Sequence, residues 1–146
     1  FVIETDNTLR LFVTKGSAGN PVINAVSSGT VPLNSWTHVA VTYNQSLASN
    51  NATFYINGVL SGTATKTANA PVDSNAGNAL NIGSFQGGGT YMVGYISNLR
   101  ITNSIVYTGA FTPSATPLTA VPAALLVTGA AVTNPMGCPL TSCLLK

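Results

Sequence analysis

Side chains that could carry out hydrolysis are few in this sequence. Its acidic side chains are Glu4, Asp6 and Asp73, and its one histidine is His38. Glycoside hydrolysis needs two carboxyl groups, about 5–5.5 Å apart for retention or about 6.5–9.5 Å apart for inversion. Asp6 falls with Asn7 in a predicted tight turn, and a histidine without a placed acid or a Gly-x-Ser-x-Gly elbow makes a poor catalytic triad. We therefore expect no catalytic residues and interpret His38 as a strand histidine, hydrogen-bonded between sheets or at their rim.

Calcium is the one cofactor for which the sequence offers a candidate ligand. Asp73 is followed by Ser74 and Asn75, with Asn78 close behind, in a polar connection. Because Ca²⁺ takes roughly six to eight oxygen ligands, a single carboxylate predicts weak binding at best. The alternative is that Asp73 forms a solvated Asx turn.

The two cysteines, Cys138 and Cys143, lie close together near the end of the sequence. In an oxidising compartment they would form a local disulfide, and otherwise they would remain two thiols. A zinc site would need further Cys or His ligands nearby, and His38 is far away in the sequence.

Recognition of neutral glycans suits this composition, because it relies on amides, hydroxyls and an aromatic face rather than on charge. The candidate glycan-binding residues are Asn75, Asn78, Phe85, Gln86, Tyr91 and Tyr107. Most of them surround the glycine run 87–89, which predicts a flexible loop. The alternative is that these Tyr and Phe rings cover the ends of the fold.

Charge is scarce, since 5% of the 146 residues are Asp, Glu, Lys or Arg, against about 25% in an ordinary soluble domain. The basic residues are spread from Arg10 to Lys146 without forming a patch, so no nucleic-acid partner is expected. The longest apolar run, residues 120–132, is shorter than the roughly 20 residues that span a bilayer. A net charge of +2 gives little repulsion between copies. Such a composition is typical of secreted, cell-surface or virion proteins.

The elements that must position these residues are short strands. Apolar residues recur with period two in runs divided by Gly, Asn, Pro and Ser. Asn57-Gly58 between two such runs is a strong hairpin signal, because both turn positions need positive φ. The predicted strands are residues 1–4, 9–13, 22–26, 36–43, 52–56, 59–63, 79–82, 92–102 and 125–127. The pattern predicts an all-β, two-sheet antiparallel sandwich.

Three residues within these runs carry specific expectations. A lone Trp is usually buried on one side, so Trp36 is expected in the core or beneath a loop. Along the same run, the side chains of Val39 and its alternate neighbours should share one face. Arg100 is expected to extend to the surface or to pair with an acid.

Four segments together resemble a known family: residues 36–43, 54–59, 80–83 and 94–101. In order and spacing they are similar to the laminin-G-like branch of the concanavalin A-like lectin/glucanase superfamily. The resemblance implies a jelly roll over residues 1–118, followed by a closing strand and C-terminal tail over residues 119–146. Such domains usually begin with strands ahead of the one at Phe1, so these would lie outside this sequence or be supplied by another chain.

The resemblance also bears on function. Glucanases of this superfamily share a Glu-x-Asp-x-x-Glu strand; Glu4 and Asp6 match its first two positions, but Leu9 stands at the third. Residues 107–113 and 117–120 look like versions of the domain in phage and environmental structural proteins. We therefore expect a non-enzymatic structural module on a bacteriophage virion surface, in a capsid decoration, fibre or tail, with copies of itself or neighbouring chains as partners. The alternative is a secreted or cell-surface adhesion domain that binds surface glycans.

Overall fold

The structure, a computed structural model, describes residues 1–14, 21–67, 80–84 and 91–117. The regular elements of these residues are strands: β1 (Val2–Ile3), β2 (Thr8–Thr14), β3 (Pro21–Thr30), β4 (Val39–Tyr43), β5 (Ala52–Ile56) and β6 (Val59–Ala64). They form two three-stranded antiparallel sheets, in the orders β1-β2-β3 and β4-β5-β6. The prediction of an all-β fold with two antiparallel sheets is confirmed.

The turn between β1 and β2 is built by Asp6 and Asn7, as predicted. Asn7 has a φ of 64°, a left-handed conformation that asparagine tolerates better than most residues. The carboxylate of Asp6 accepts the backbone N–H of Thr8 at 2.9 Å and the Thr8 hydroxyl at 2.7 Å. These local bonds fix the register in which β2 returns beside β1.

The hairpin between β5 and β6 turns at Asn57-Gly58, with φ of 50° and 76°. Positive φ at both positions is the requirement of a type I′ turn, which matches the twist of the two strands. The Asn57 side-chain oxygen also accepts the backbone N–H of His38 at 3.0 Å, and the Asn57 N–H donates to the His38 carbonyl at 2.7 Å. The turn therefore holds the residue that leads into β4.

The core lies between the two sheets. Its buried members are Leu9, Leu11, Ile23, Ala52 and Phe54. Val39, Val41 and Tyr43 pack against them from β4, which confirms that these alternate residues share the inward face. Burial of apolar side chains from both sheets makes this a sandwich.

The sheets also meet along β3 and β6. Gly29 on β3 donates its N–H to the Ser61 hydroxyl on β6 at 3.0 Å. A Cβ at Gly62, where φ is 115°, would lie 2.9 Å from the Ser28 hydroxyl oxygen and 3.2 Å from its backbone nitrogen. Glycine at this position therefore allows the two backbones to approach closely.

The strand predicted at residues 92–102 is absent from the structure. The segment is irregular, and the one bridge at its start pairs Ser84 with Tyr91. Asn98 has a φ of 54°, which interrupts an extended backbone. Residues 80–82 likewise form no strand. Both segments alternate apolar and polar residues as a strand would. Among the described residues, however, neither has a neighbouring strand to pair with along its length.

The placement predicted for Trp36 is wrong. Its side chain is 73% exposed, and β4 begins only at Val39. The ring lies 6.5 Å from that of Tyr95, which is itself exposed. The predicted closing strand at residues 125–127 and the tail beyond it lie outside the described residues.

Candidate functional site

Four aromatic rings gather at the end of the second sheet where β5 turns into β6. This aromatic cluster consists of His38, Tyr55, Tyr107 and Phe111. Tyr107 and Phe111 stack face to face, with ring centres 3.5 Å apart and planes 5° from parallel. His38 and Tyr55 meet Phe111 edge-on, with ring centres at 5.3 Å and 5.4 Å. Such pairs contribute about 0.5–1.5 kcal/mol each beyond the area that they bury.

The β5–β6 turn positions this cluster. Phe111 donates its backbone N–H to the carbonyl of Gly58 at 2.9 Å. A Cβ on Gly58 would fall 1.8 Å from the Phe111 carbonyl oxygen and 3.0 Å from the ring of Pro113. The absence of a side chain at Gly58 therefore lets the segment that carries Phe111 lie against the hairpin.

Arg100 joins the cluster from the irregular segment. Its Nη2 donates to the Tyr107 hydroxyl at 3.0 Å, and the guanidinium carbon lies 5.8 Å from the centre of the Tyr107 ring. The expectation that Arg100 would reach the surface or pair with an acid is only partly met. The residue is half-buried, and the partner in the described structure is a phenol.

The environment of the cluster changes the titration of His38. Burial lowers the pKa of the imidazole, and the positive charge of Arg100 lowers it further. Its Nδ1 is buried and has no hydrogen-bond partner among the described residues. Both effects favour the neutral imidazole. His38 precedes β4 instead of lying within a strand, and its Nδ1 lacks a partner among the described residues, so the expectation of a hydrogen-bonded strand histidine is not met.

A cleft opens beside Tyr107, with a volume of 360 Å³. Its lining residues are Arg100, Val106, Tyr107, Thr112, Ser114, Thr116 and Pro117. The Ser114 hydroxyl donates to the Thr116 carbonyl at 3.0 Å, which shapes the wall between Pro113 and Pro117. This Arg100–Thr116 cleft thus offers an aromatic ring, hydroxyl groups and one guanidinium.

Of the six predicted glycan-binding residues, Tyr91 and Tyr107 lie within the described ranges. Tyr107 lines the cleft and also belongs to the aromatic cluster, so it serves both as a wall of the cleft and as a cover for the sandwich end. Tyr91 is 68% exposed and is not among the lining residues. Four further candidates lie outside the described residues: Asn75, Asn78, Phe85 and Gln86.

Thr112, Ser114 and Thr116 were not predicted as site residues. Thr112 precedes Pro113, and Ser114 and Thr116 are brought together by a bend at residues 115–116 between Pro113 and Pro117. The proline spacing was visible in the sequence. The fold that brings this segment beside Arg100 was not.

The carboxylates of the incomplete glucanase motif are engaged elsewhere. Glu4 forms an ion pair with Arg10 at 3.0 Å, and Asp6 is held by Thr8, which lowers the pKa of the Asp6 carboxyl. Leu9, at the third motif position, is fully buried. Neither carboxylate is among the residues that line the cleft.

No group of three or more His, Cys, Asp or Glu side chains suited to hold a metal occurs within the described ranges. The calcium candidate, Asp73, lies outside them, as do Cys138 and Cys143, so the calcium and disulfide hypotheses stay predictions. Within the same ranges, the structure contains no helix of the length and apolarity needed to cross a membrane.

Two antiparallel sheets over a shared core, with an aromatic cluster and a cleft at one end, define a lectin-like β-sandwich. The family model Laminin_G_3, of the concanavalin A-like lectin/glucanases superfamily, matches residues 1–109. The chain belongs to this superfamily, as the sequence resemblance implied. Comparison with the curated proteins and with the solved structures gave no match. Membership points to a carbohydrate-binding or structural module.

Proposed function

We propose that this chain is a non-enzymatic structural module that assembles with copies of itself on the surface of a bacteriophage virion, as part of a capsid decoration, fibre or tail. An exposed run of large apolar side chains within residues 91–106 carries the proposal. The virion context is supported by the resemblance of residues 107–113 and 117–120 to domains of phage structural proteins. The absence of catalysis is supported by the separate engagement of Glu4 and Asp6.

The exposed run, here named the apolar segment, comprises residues 91–106. Val93 is fully exposed and Tyr95 is 85% exposed. Other exposed apolar members of the segment are Tyr91, Met92, Ile96, Leu99, Ile101, Ile105 and Val106. Trp36 extends this surface through its contact with Tyr95. Monomeric soluble proteins rarely expose so many adjacent apolar groups, which commonly mark interaction surfaces.

A second copy of the chain is the occupant that the charge balance favours. With a net charge of +2 and 5% charged residues, two copies repel each other weakly. Apart from the half-buried Arg100, the segment carries no charged side chain, and its exposed apolar side chains are complementary to those of a second copy. Isologous pairing of the same patch on two copies then buries it without any other component.

A charge placed on the apolar segment tests this proposal. We expect the full chain to associate at micromolar concentrations and Tyr95→Glu to shift it to monomers, since a buried glutamate would lose its hydration. Multi-angle light scattering during gel filtration measures the mass. Leu47→Glu is the matched control. Leu47 is 45% exposed and lies in the β4–β5 turn, at the opposite end of that sheet from Trp36.

Two results would contradict the assembly proposal. One is a monomer at every concentration of the unmodified chain. The other is association that Tyr95→Glu and Leu47→Glu reduce equally. Electron micrographs of the associated fraction separate function from simple aggregation, because assembly predicts particles or fibres of regular dimensions.

A second candidate function is favoured by the Arg100–Thr116 cleft. A carbohydrate-binding adhesion domain, secreted or on a cell surface, needs a concave site with an aromatic wall and a few polar groups. The cleft volume of 360 Å³ lies in the range of small-ligand sites, about 300–1,000 Å³. Titration of the full chain with short oligosaccharides tests this candidate, and saturable binding that Thr116→Val weakens would support it.

A further inference from the structure

We propose that the Arg100–Thr116 cleft selects an acidic saccharide, a sugar ring whose carboxylate pairs with the guanidinium of Arg100. The inference rests on the second candidate function, carbohydrate binding, and names the class of sugar. It departs from the neutral glycan that the composition of the chain favours.

The charge of Arg100 has no acidic partner in the described part of the chain. The guanidinium is half-buried, yet no carboxylate within the described ranges lies at ion-pairing distance from it. Of the three acidic residues, Glu4 is paired with Arg10 and Asp6 is bonded to Thr8, while Asp73 is outside those ranges. A cation that is partly buried in a cleft loses some of its favourable hydration. The opposite charge of an anionic ligand offsets that loss, so such a cation favours an anion.

The shape of the Arg100 side chain also suits a carboxylate. A guanidinium carries five N–H donors in a planar fork, and the bond to the Tyr107 hydroxyl uses only one of them. That bond and the contact with the Tyr107 ring anchor one side of this fork beside Tyr107. A fixed fork binds a carboxylate through two parallel hydrogen bonds more strongly than it binds a neutral hydroxyl.

The rest of the cleft suits a sugar ring better than a bare anion. Its wall exposes Thr112, whose hydroxyl can both donate to and accept from ring hydroxyls. The hydroxyls of Ser114 and Thr116 bond to each other at 3.0 Å, and the Thr116 oxygen can still accept from a sugar hydroxyl. Val106 supplies exposed apolar surface against which a ring's C–H groups pack, while Tyr107, stacked on Phe111, closes that side of the cleft. Among the lining residues that the structure describes, Arg100 is the one that carries charge, so this part of the cleft matches one negative charge rather than a phosphate-rich polymer.

Isothermal titration of the full chain with two saccharides tests the inference. The probes are tri-galacturonate and the corresponding galactose trisaccharide, which share linkage and ring and differ in the oxidation of C6. We expect tri-galacturonate to bind at least about tenfold more tightly at low salt, and this ratio to fall as NaCl is raised. Arg100→Gln should abolish the preference, and Arg100→Lys should keep only part of it, because lysine retains the charge without the fork.

Arg10→Gln provides the matched control, since it removes the same charge from the Glu4 ion pair and not from the cleft. It should leave the preference unchanged. If Arg100→Gln does not fold, as judged by circular dichroism, the ratio of the two probes on the unmodified chain and its salt dependence still decide the matter.

The possible outcomes separate the two hypotheses. Equal binding of both trisaccharides would overturn the acidic selectivity and leave carbohydrate binding standing. Failure of both to bind would overturn the inference together with the adhesion candidate. Neither result bears on self-assembly, which is measured by mass in the absence of sugar.

Discussion

At the scale of single residues, buried polar groups hold parts of this fold that apolar burial alone would leave undefined. Asn51 is 2% exposed, and its amide nitrogen donates to the carbonyls of Asn44 at 2.9 Å and Leu47 at 2.7 Å. Its oxygen accepts the backbone N–H of Lys66 at 3.0 Å. One amide therefore closes the β4–β5 turn and ties it to Lys66, just beyond the end of β6.

The sequence could not reveal this role, because nothing distinguishes Asn51 from its neighbour Asn50 before the partners are known. The same limit explains the wrong placement of Trp36 and the unforeseen phenol partner of Arg100. Residue type predicted burial for Trp36, and for Arg100 either exposure or an acidic partner, but both depend on what the fold brings nearby. By contrast, Asp6 and Asn7 act on adjacent backbone, so their turn was predictable.

His38 gives a prediction about pH. Because burial and Arg100 lower the pKa of its imidazole in the folded state, the unfolded chain binds more protons between that lowered pKa and about 6.5. The free energy of unfolding should therefore fall as pH drops from about 7.5 to about 5, and level off below the folded pKa. Urea unfolding at a series of pH values measures it.

The matched variant is His38→Phe, which keeps an aromatic ring in the cluster and removes the titrating group. We expect this variant to lose most of the pH dependence in that window. Asp6 does not interfere, because its carboxyl pKa is lowered and the group stays ionised there. An unchanged pH profile in His38→Phe would show that another group is responsible.

At the scale of elements, the strands that pair with sequence neighbours were predictable and the others were not. The predicted strand at residues 52–56 has the same bounds as β5, and the hairpin at Asn57-Gly58 is where the pattern placed it. Residues 92–102 have equally good apolar alternation but no partner strand within the described part of the chain. Period-two patterning signals a surface that can be buried, and a strand also requires a neighbouring ladder.

Gly58→Ala tests the contact between the hairpin and the aromatic cluster. The new methyl group would meet the Phe111 carbonyl at 1.8 Å, and φ at this position is 76°, so both space and conformation oppose it. We expect a loss of more than about 1 kcal/mol in the free energy of unfolding. The cleft should be disturbed as well, because residues 111–113 must move.

Gly109→Ala is the control for this prediction, because a Cβ at Gly109 meets nothing within 4 Å. It should be neutral or slightly stabilising. Thermal unfolding of both variants, followed by circular dichroism, compares them. If Gly58→Ala melts with the unmodified chain, the turn does not support Phe111 in the way proposed here.

At the scale of the whole molecule, charge contributes little to the described structure. Its one ion pair, Glu4–Arg10, has partners that are 31% and 36% exposed, and such pairs contribute about 0–1 kcal/mol. Within the described ranges, large apolar side chains lie in the core, in the apolar segment and at other exposed positions such as Leu33 and Val59. The sequence shows how many apolar residues there are, but it does not show whether their burial occurs within one copy or between copies.

The small contribution of charge and the large exposed apolar surface predict how self-assembly responds to salt. If apolar burial drives it, the associated mass should stay constant from about 20 mM to about 500 mM NaCl, because no charge pairs are there to be screened. Ammonium sulfate should strengthen association, since it raises the cost of exposed apolar surface. In Tyr95→Glu the glutamates of paired copies repel each other, so added NaCl should partly restore association. Dissociation of the unmodified chain at high NaCl would instead indicate an interface held by charge, and the apolar segment would not be its basis.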